Sequence, residues 1–345
     1  MAAAIVAAIS ASALERGDLL NGVFDGAAQT AVSPKALGVT APAPKPGMPK
    51  PVDDLAGARA RVGNDAQAKR LLERNPAPKR DFTLAVIGDA EAGRFAWERV
   101  FSPGEHAFER LMDSIKSDAP DLVFQLGDMV SKGTEANYRG RVKYLEANAG
   151  IPIFSVIGNH DRSSPNGKAD KNLYHEVFGP GDFFVDYNGW RLIGLDTSDR
   201  ALTPDQVEWL KLVLIPGRRS IVFTHVPPKF LKGRLNTCTV PLIKPKGGYI
   251  HDVLTGYFEE GSAEFEALMA ERHVERVYFG HLHAFGMADH RGTRYVLSGG
   301  GGSPLYPMPV TEPQCLFAHY IRVGLGPGAI RETVHTLDGR EFPLP

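Results

Sequence analysis

From residue 81 onward, short apolar runs alternate with stretches whose apolar positions fall on one helical face. Residues 82–87 (FTLAVI), 121–126 (DLVFQL) and 151–157 (IPIFSVI) are apolar runs of strand length, as strands buried on both faces require. Residues 106–117 and 135–148 between them carry helical spacing, so this half predicts parallel β-α-β units. The rhythm then changes. Residues 183–187 and 191–195 flank Asn188-Gly189, a dipeptide suited to the two positive-φ positions of a tight hairpin. Thr203-Pro204 opens a helix through Leu214, with Thr203 as N-cap and Pro204 in the first turn. Residues 220–223 and 274–279 predict further strands around a helix over 263–272, and late strands follow at 295–297, 316–323 and Ile330–Thr336. The fold class is α/β with mixed sheets.

The first eighty residues differ. Residues 1–30 hold an Ala-rich apolar run ending Ala11-Ser12-Ala13, which reads as a secretory signal although no Lys or Arg precedes it. The alternative is a plain Ala-rich helix, which would leave the protein cytoplasmic rather than exported. The run is shorter than the roughly 20 residues of a membrane span, so no transmembrane segment is expected. Residues 31–80 read as a Pro-rich linker followed by a helix over 53–74, ended by Asn75-Pro76. One domain is then expected over 81–345.

Composition narrows the function classes. Lys+Arg 39 against Asp+Glu 40 gives a net charge of -1, so no stable nucleic-acid partner is expected. Cys238 and Cys315 are the sole cysteines of the chain, which excludes a disulfide scaffold and any multi-cysteine metal site. In an exported protein they are free to pair; in a cytosolic one both are thiols. Oligomeric state has no signature in the sequence.

The chemistry lies at the strand ends. Ligands of open α/β sheets bind beyond the carboxyl ends of the strands. Five strands here end in Asp89, Asp128, Asn159 with His160, His225, and His281 with His283. A single Asp there is ordinarily a turn residue, and a single His a core or surface residue; five in register point to a common site. Carboxylates, imidazoles and an amide oxygen suit zinc, iron or manganese, and two such ions serve hydrolysis of phosphate esters.

Gly88-Asp89, Gly127-Asp128, Gly158-Asn159-His160-Asp161, Thr224-His225 and Gly280-His281-Leu282-His283 resemble the five blocks of the calcineurin-like metallophosphoesterase superfamily. The resemblance spans residues 82–302. It implies a four-layer α-β-β-α sandwich and two divalent or trivalent metal ions (Mn, Fe or Zn). By position, Asp89, Asp128 and His283 would hold the first metal; Asp128, Asn159, His225 and His281 would hold the second. A metal-bridging hydroxide would attack phosphorus. His160 would protonate the leaving group or stabilise the phosphoryl oxygens, and Asp161 would orient it. Arg162 is either a phosphate contact or an ordinary solvated arginine.

One position departs from the pattern. The first block is usually Asp-x-His, and here it is Asp89-Ala90-Glu91. Glu91 either replaces the imidazole, giving a harder site that leans towards manganese or iron, or points away. The tyrosine of the purple acid phosphatases is replaced by Ser131. The run 298–306, rich in glycine, reads as a tight loop that brings backbone to the site, not a P-loop. Gln206, Trp209 and Leu210 resemble the family and read as packing residues. Lys229, Lys232, Arg234, Lys244 and Lys246 form a segment without acids between 229 and 248. It reads as a basic lid over an anionic substrate or as a solvated loop, with Lys229 and the terminal His251 as substrate-binding candidates. The expected activity is hydrolysis of a small or medium phosphate ester, with monoesters favoured. A phosphodiesterase acting on cyclic or linear nucleotides is the alternative, and a non-catalytic metal-binding scaffold of the same fold the second.

Overall fold

The computed structural model describes residues 29–32, 55–91, 106–235, 256–305 and 317–345. Apolar runs become strands where expected. β2 (Phe82–Ile87), β3 (Leu122–Gln125) and β4 (Ile153–Ser155) are parallel neighbours. They extend through the antiparallel strands β11 (His319–Leu325), β12 (Ile330–Thr336) and β13 (Glu341–Pro343) into a six-stranded sheet ordered β13-β12-β11-β2-β3-β4. A second sheet has seven strands. It comprises β1 (Gln29–Val32), β5 (Phe183–Tyr187), β6 (Trp190–Leu195), β7 (Arg219–Thr224), β8 (Arg276–Phe279), β9 (Phe285–His290) and β10 (Thr293–Ser298), ordered β1-β5-β6-β7-β8-β10-β9. Its central strands β6, β7, β8 and β10 are parallel.

The sheets pack face to face. Leu84, Val86, Phe124 and Phe154 of one meet Leu192, Ile221, Phe223 and Tyr278 of the other in one buried cluster. At its centre Phe124 stacks on Phe223, with ring centroids 3.8 Å apart and planes inclined by 7°. Each ring lies near the end of a strand that leads to a candidate ligand, Asp128 after β3 and His225 after β7. The aromatic contact thus sets the separation of those two strands, adding about 0.5–1.5 kcal/mol beyond the area it buries.

Helices cover both outer faces. Helices α1 (Ala58–Val62), α3 (Ala107–Asp118), α4 (Glu135–Ala147) and α5 (Asn172–Val177) lie on the outer side of the six-stranded sheet, while α2 (Asn64–Arg74) packs beside β1 and β4 and sends Ala68 and Leu71 into the cluster between the sheets. α6 (Pro204–Val213) and α7 (Ser262–Glu271) cover the seven-stranded sheet through Trp209, Leu210, Phe265 and Met269. The four layers are the α-β-β-α sandwich expected. No helix among the described residues is long and apolar enough to cross a membrane.

Local chemistry explains several boundaries. Asn188 and Gly189 both have positive φ, 48° and 82°, and join β5 to β6 as an antiparallel hairpin. Thr203 Oγ1 accepts from the Gln206 N–H while Gln206 Oε1 accepts from the Thr203 N–H, a complete capping box at α6. Gln206 is therefore more than the packing residue expected: its Nε2 also donates to the Asp182 carboxylate and the Asp196 carbonyl.

The helix expected over 53–74 is two helices, because Gly63 is extended (φ -66°, ψ 157°) between α1 and α2. Asn64 then exchanges two hydrogen bonds with the backbone of Ser155, at 3.0 and 2.9 Å. Ala68 and Leu71 enter the core, so α2 packs on the sheet. Strands β1, β9 and β13 and helix α5 were not legible from periodicity; β1, β13 and α5 are short, and β9 (FGMADH) mixes polar residues with small ones.

Candidate metal centre

Asp89, Asp128 and His281 follow β2, β3 and β8, and all three have left-handed backbone, with φ of 49°, 54° and 70°. Non-glycine residues held there are strained, and the strand ends supply the restraint. Asp89 N–H donates to Gly127 O (3.2 Å), Ala90 N–H to Asp128 O (3.1 Å), and Gly280 N–H to His225 O (3.1 Å). Gly127 has φ +94° and lies so near His225 that an added Cβ would stand 2.6 Å from Nδ1. A side chain there would push the Asp128 and His225 strands apart.

The side chains converge on Asp128. Its Oδ1 accepts from the His160 N–H at 2.8 Å, and its Oδ2 lies 3.2 Å from His225 Nε2. Donor atoms of Asp128, His225 and His281 lie within 4.8 Å of one another, as do those of Asp89, Asp128 and His283, and those of Glu91, Asp128 and His160. Asn159 Oδ1 is 3.1 Å from His225 Nε2, while its Nδ2 donates to Pro165 O, which turns the amide oxygen inward. All the expected metal ligands therefore meet in one place.

Backbone carbonyls select the imidazole atom that three of the histidines offer. His225 Nδ1 donates to Leu126 O (2.8 Å), His283 Nδ1 to Pro304 O (2.9 Å) and His160 Nδ1 to Ser131 O (2.9 Å). A carbonyl can only accept, so each Nδ1 carries the hydrogen and each Nε2 is left for the site.

Burial and close opposite charges shift the titratable groups of the cluster. Burial opposes ionisation of Asp128, but His225, His160 and His281 outweigh it and hold that carboxyl well below the usual range. Burial pushes Asp89 and Glu91 up despite His283 and His160 beside them. Burial likewise resists charging of His160 and His225, yet Asp128 dominates with help from Glu91 and Asp89, raising them to about 10 and about 9. His281 goes the other way: burial, then the charges of His225 and Arg200 among others, hold it neutral. Protons on His160 and His225 thus balance the Asp128 charge, while burial drives Asp89 and Glu91 towards the neutral acid. Divalent cations supply the same charge with neutral imidazoles and ionised carboxylates, and the donor set fits them.

Other expectations change. Asp161 does not touch His160. Its Oδ2 accepts from the Gly158 N–H (2.8 Å) and its Oδ1 from the Val130 N–H (3.1 Å), so it fastens the His160 loop to the Asp128 loop. His160 is oriented instead by Ser131 O and faces Glu91 Oε2 at 3.3 Å. Glu91 is buried against the cluster and does not point away. Arg162 is neither a phosphate contact nor a solvated arginine: its buried guanidinium donates to Asn159 O, Pro165 O, Gly167 O and the Asp199 carboxylate. Lys229 is exposed in a 3-10 turn and pairs with Glu259 at 2.8 Å. His251, Cys238, Cys315, Lys244 and Lys246 lie outside the described residues.

Several contributors had no sequence signature. Ser303 of the glycine-rich loop donates through Oγ to Asp89 O (3.0 Å) and Glu91 O (2.9 Å), pinning the first block. Gln125 Oε1 accepts from the Gly127 N–H (2.9 Å) and from Ser155 Oγ (3.1 Å), a buried link that sets the turn before Asp128. Arg200 is exposed on the loop after β6, and among the described residues no carboxylate pairs with it.

Residues 82–285 match the family model of the calcineurin-like phosphoesterases. The fold is similar to purple acid phosphatase PPD1 from yellow lupin seeds, with TM-score 0.57 and 16% identity over 76% of this chain and 53% of that one. The chain thus spans about half the length of the lupin enzyme. It is also similar to GAP50, the anchor in the inner membrane complex of Plasmodium (TM-score 0.47, 11% identity, 77% of this chain and 89% of that one). A further likeness is to Vps29 of Entamoeba histolytica complexed with zinc (TM-score 0.38, 10% identity, 76% of this chain and 96% of that one). No curated protein sequence matches the chain. The family model covers more than half of the 345 residues and includes the candidate ligands at the ends of β2, β3, β4, β7 and β8; the chain belongs to the calcineurin-like phosphoesterase family.

Proposed function

We propose that this phosphoesterase hydrolyses phosphate monoesters at a binuclear metal centre. The observation that carries the reading is the meeting of Asp89, His225, His281 and His283 around the buried Asp128 carboxylate. Asp89, Asp128 and His283 would hold one cation; Asp128, Asn159, His225 and His281 would hold the other. Cations bound there supply Lewis acidity for phosphoryl oxygens and acidify water for in-line attack. The chain's own residues do the rest. His160, with Nδ1 tied to Ser131 O, presents Nε2 and can deliver a proton to the departing alkoxide. Asp161 and Arg162 hold the loop that carries it.

Arg200 supports the monoester preference. It is an exposed cation whose charge reaches His281, and a dianionic monoester draws more on such a partner than a monoanionic diester does. Its loop is joined to the 256–260 segment through the Leu202 N–H to Glu260 O bond (2.9 Å). That segment begins beside the site, since a Cβ on Gly256 would lie 2.7 Å from His281 Nε2. Arg200→Ala is expected to raise KM for a monoester about tenfold with kcat nearly unchanged, the lower end for losing a charged hydrogen bond. Steady-state kinetics with the Arg200→Lys control decide it, and an unaltered KM removes Arg200 from the substrate's contacts.

The reading itself is tested by turnover of p-nitrophenyl phosphate and bis(p-nitrophenyl) phosphate after loading with manganese, iron or zinc. The monoester is expected to have the higher kcat/KM, by about tenfold or more. Faster diester cleavage would move the substrate class to phosphodiesters. Inertness towards both under every metal would leave a metal-binding scaffold.

A further inference from the structure

Glu91 occupies a position where the family pattern calls for an imidazole, and among the described residues one of its carboxylate oxygens has no donor of its own. The side chain is 4% exposed and its Oε2 has no hydrogen-bond partner. The nearest cationic group is His160, whose Nδ1 lies 3.3 Å away. That nitrogen carries one hydrogen, and Ser131 O takes it at the shorter distance of 2.9 Å. Among the described residues no lysine or arginine pairs with Glu91. Nor is the residue at liberty to shift its backbone, because Ser303 Oγ donates to the carbonyls of both Glu91 and Asp89. A buried carboxylate oxygen left without a donor is costly, on the order of a few kcal/mol, and a cation beside it removes that cost. Its ligand oxygen already lies within 4.8 Å of those of Asp128 and His160.

We propose that Glu91 is an oxygen ligand of the first metal position and that it makes the two positions chemically unequal. The proposal rests on the two-metal reading above. The first position then has three carboxylates, Asp89, Glu91 and Asp128, with a single imidazole, His283. The second has the shared Asp128, the Asn159 amide oxygen and two imidazoles, His225 and His281. Carboxylate-rich sites favour manganese relative to zinc, whereas imidazole-rich sites favour zinc. Zinc outcompetes manganese at most sites of either kind, so the inequality is one of relative preference. Given both metals, with manganese in excess, the chain takes manganese at the first position and zinc at the second.

Metal content tests this without reference to turnover. Metal-free full-length protein is equilibrated with about two equivalents of Zn²⁺ and an approximately hundredfold excess of Mn²⁺, desalted, and analysed by elemental mass spectrometry and Mn²⁺ electron paramagnetic resonance. Wild type is expected to retain manganese and zinc in nearly equal amounts. Glu91→His, which restores the imidazole, is expected to retain almost only zinc. Glu91→Gln, which keeps the shape and removes the charge, is expected to keep one zinc and bind manganese about tenfold more weakly, at least the scale seen when a ligand's supporting partner is removed. Circular dichroism verifies folding of each variant. The same manganese-to-zinc ratio in wild type, Glu91→His and Glu91→Gln overturns the role of Glu91 while leaving the two-metal reading intact. A wild-type protein that retains neither metal overturns the two-metal reading itself.

Discussion

Asp128→Asn is expected to remove both metals and to lower kcat/KM by at least about 10³-fold, the scale of several kcal/mol that Lewis-acid stabilisation supplies. The expectation follows from the place of this one carboxylate. Its oxygens belong to every group of candidate ligands in the site, so no cation position is complete without it. It is 1% exposed, and water cannot replace a lost ligand there as readily as at a surface. Asparagine keeps Oδ1 as acceptor for the His160 N–H, which preserves the loop while removing the charge. The variant therefore separates metal binding from folding. Elemental analysis should fall from about two metals per chain to near zero with the circular dichroism spectrum unchanged. Two metals retained at full occupancy would show that Asp128 is not their shared ligand.

The parts of this site that sequence could deliver are those carried by residue type and strand-end position. Asp89, Asp128, Asn159, His160, His225, His281 and His283 each follow an apolar run, and one rule about strand ends places them together. Turn chemistry was equally local, as with Asn188-Gly189 and the Thr203 cap. What stayed hidden is the support, because it runs through backbone atoms distant in the chain. Ser303 grips the carbonyl of Asp89 across 214 positions, and Ser131 orients His160 through a carbonyl that any residue would possess. Asp161 and Arg162 stand beside His160 in sequence, which made them look like its partners. Three-dimensional packing assigns both to loop backbone and turns them from direct contributors into braces. The Gly63 break between α1 and α2 was hidden for a similar reason: residues 58–61 before it and 66–74 after it are rich in helix formers, and packing on Ser155 shows where α2 must begin.

His160→Gln should produce the second large loss, with a different signature. Both metals should remain, since the ligand sets of the two cation positions do not need this imidazole. The side chain is placed for proton transfer: Nδ1 is committed to Ser131 O, which leaves Nε2 for the leaving group, and Asp128 and Glu91 stand close enough to overcome burial and favour the protonated ring. A general acid contributes about 10²–10⁴-fold, and its contribution grows as the leaving alkoxide becomes more basic. With an alkyl phosphate, whose leaving group needs the proton, His160→Gln should lower kcat by about 10³-fold. With p-nitrophenyl phosphate, whose leaving group departs unaided, the loss should shrink to about tenfold. Comparing the two substrates at equal metal content distinguishes a proton donor from a group that steadies the phosphoryl oxygens. Equal losses on both substrates would assign His160 to the oxygens, and no loss on either would take it out of the reaction.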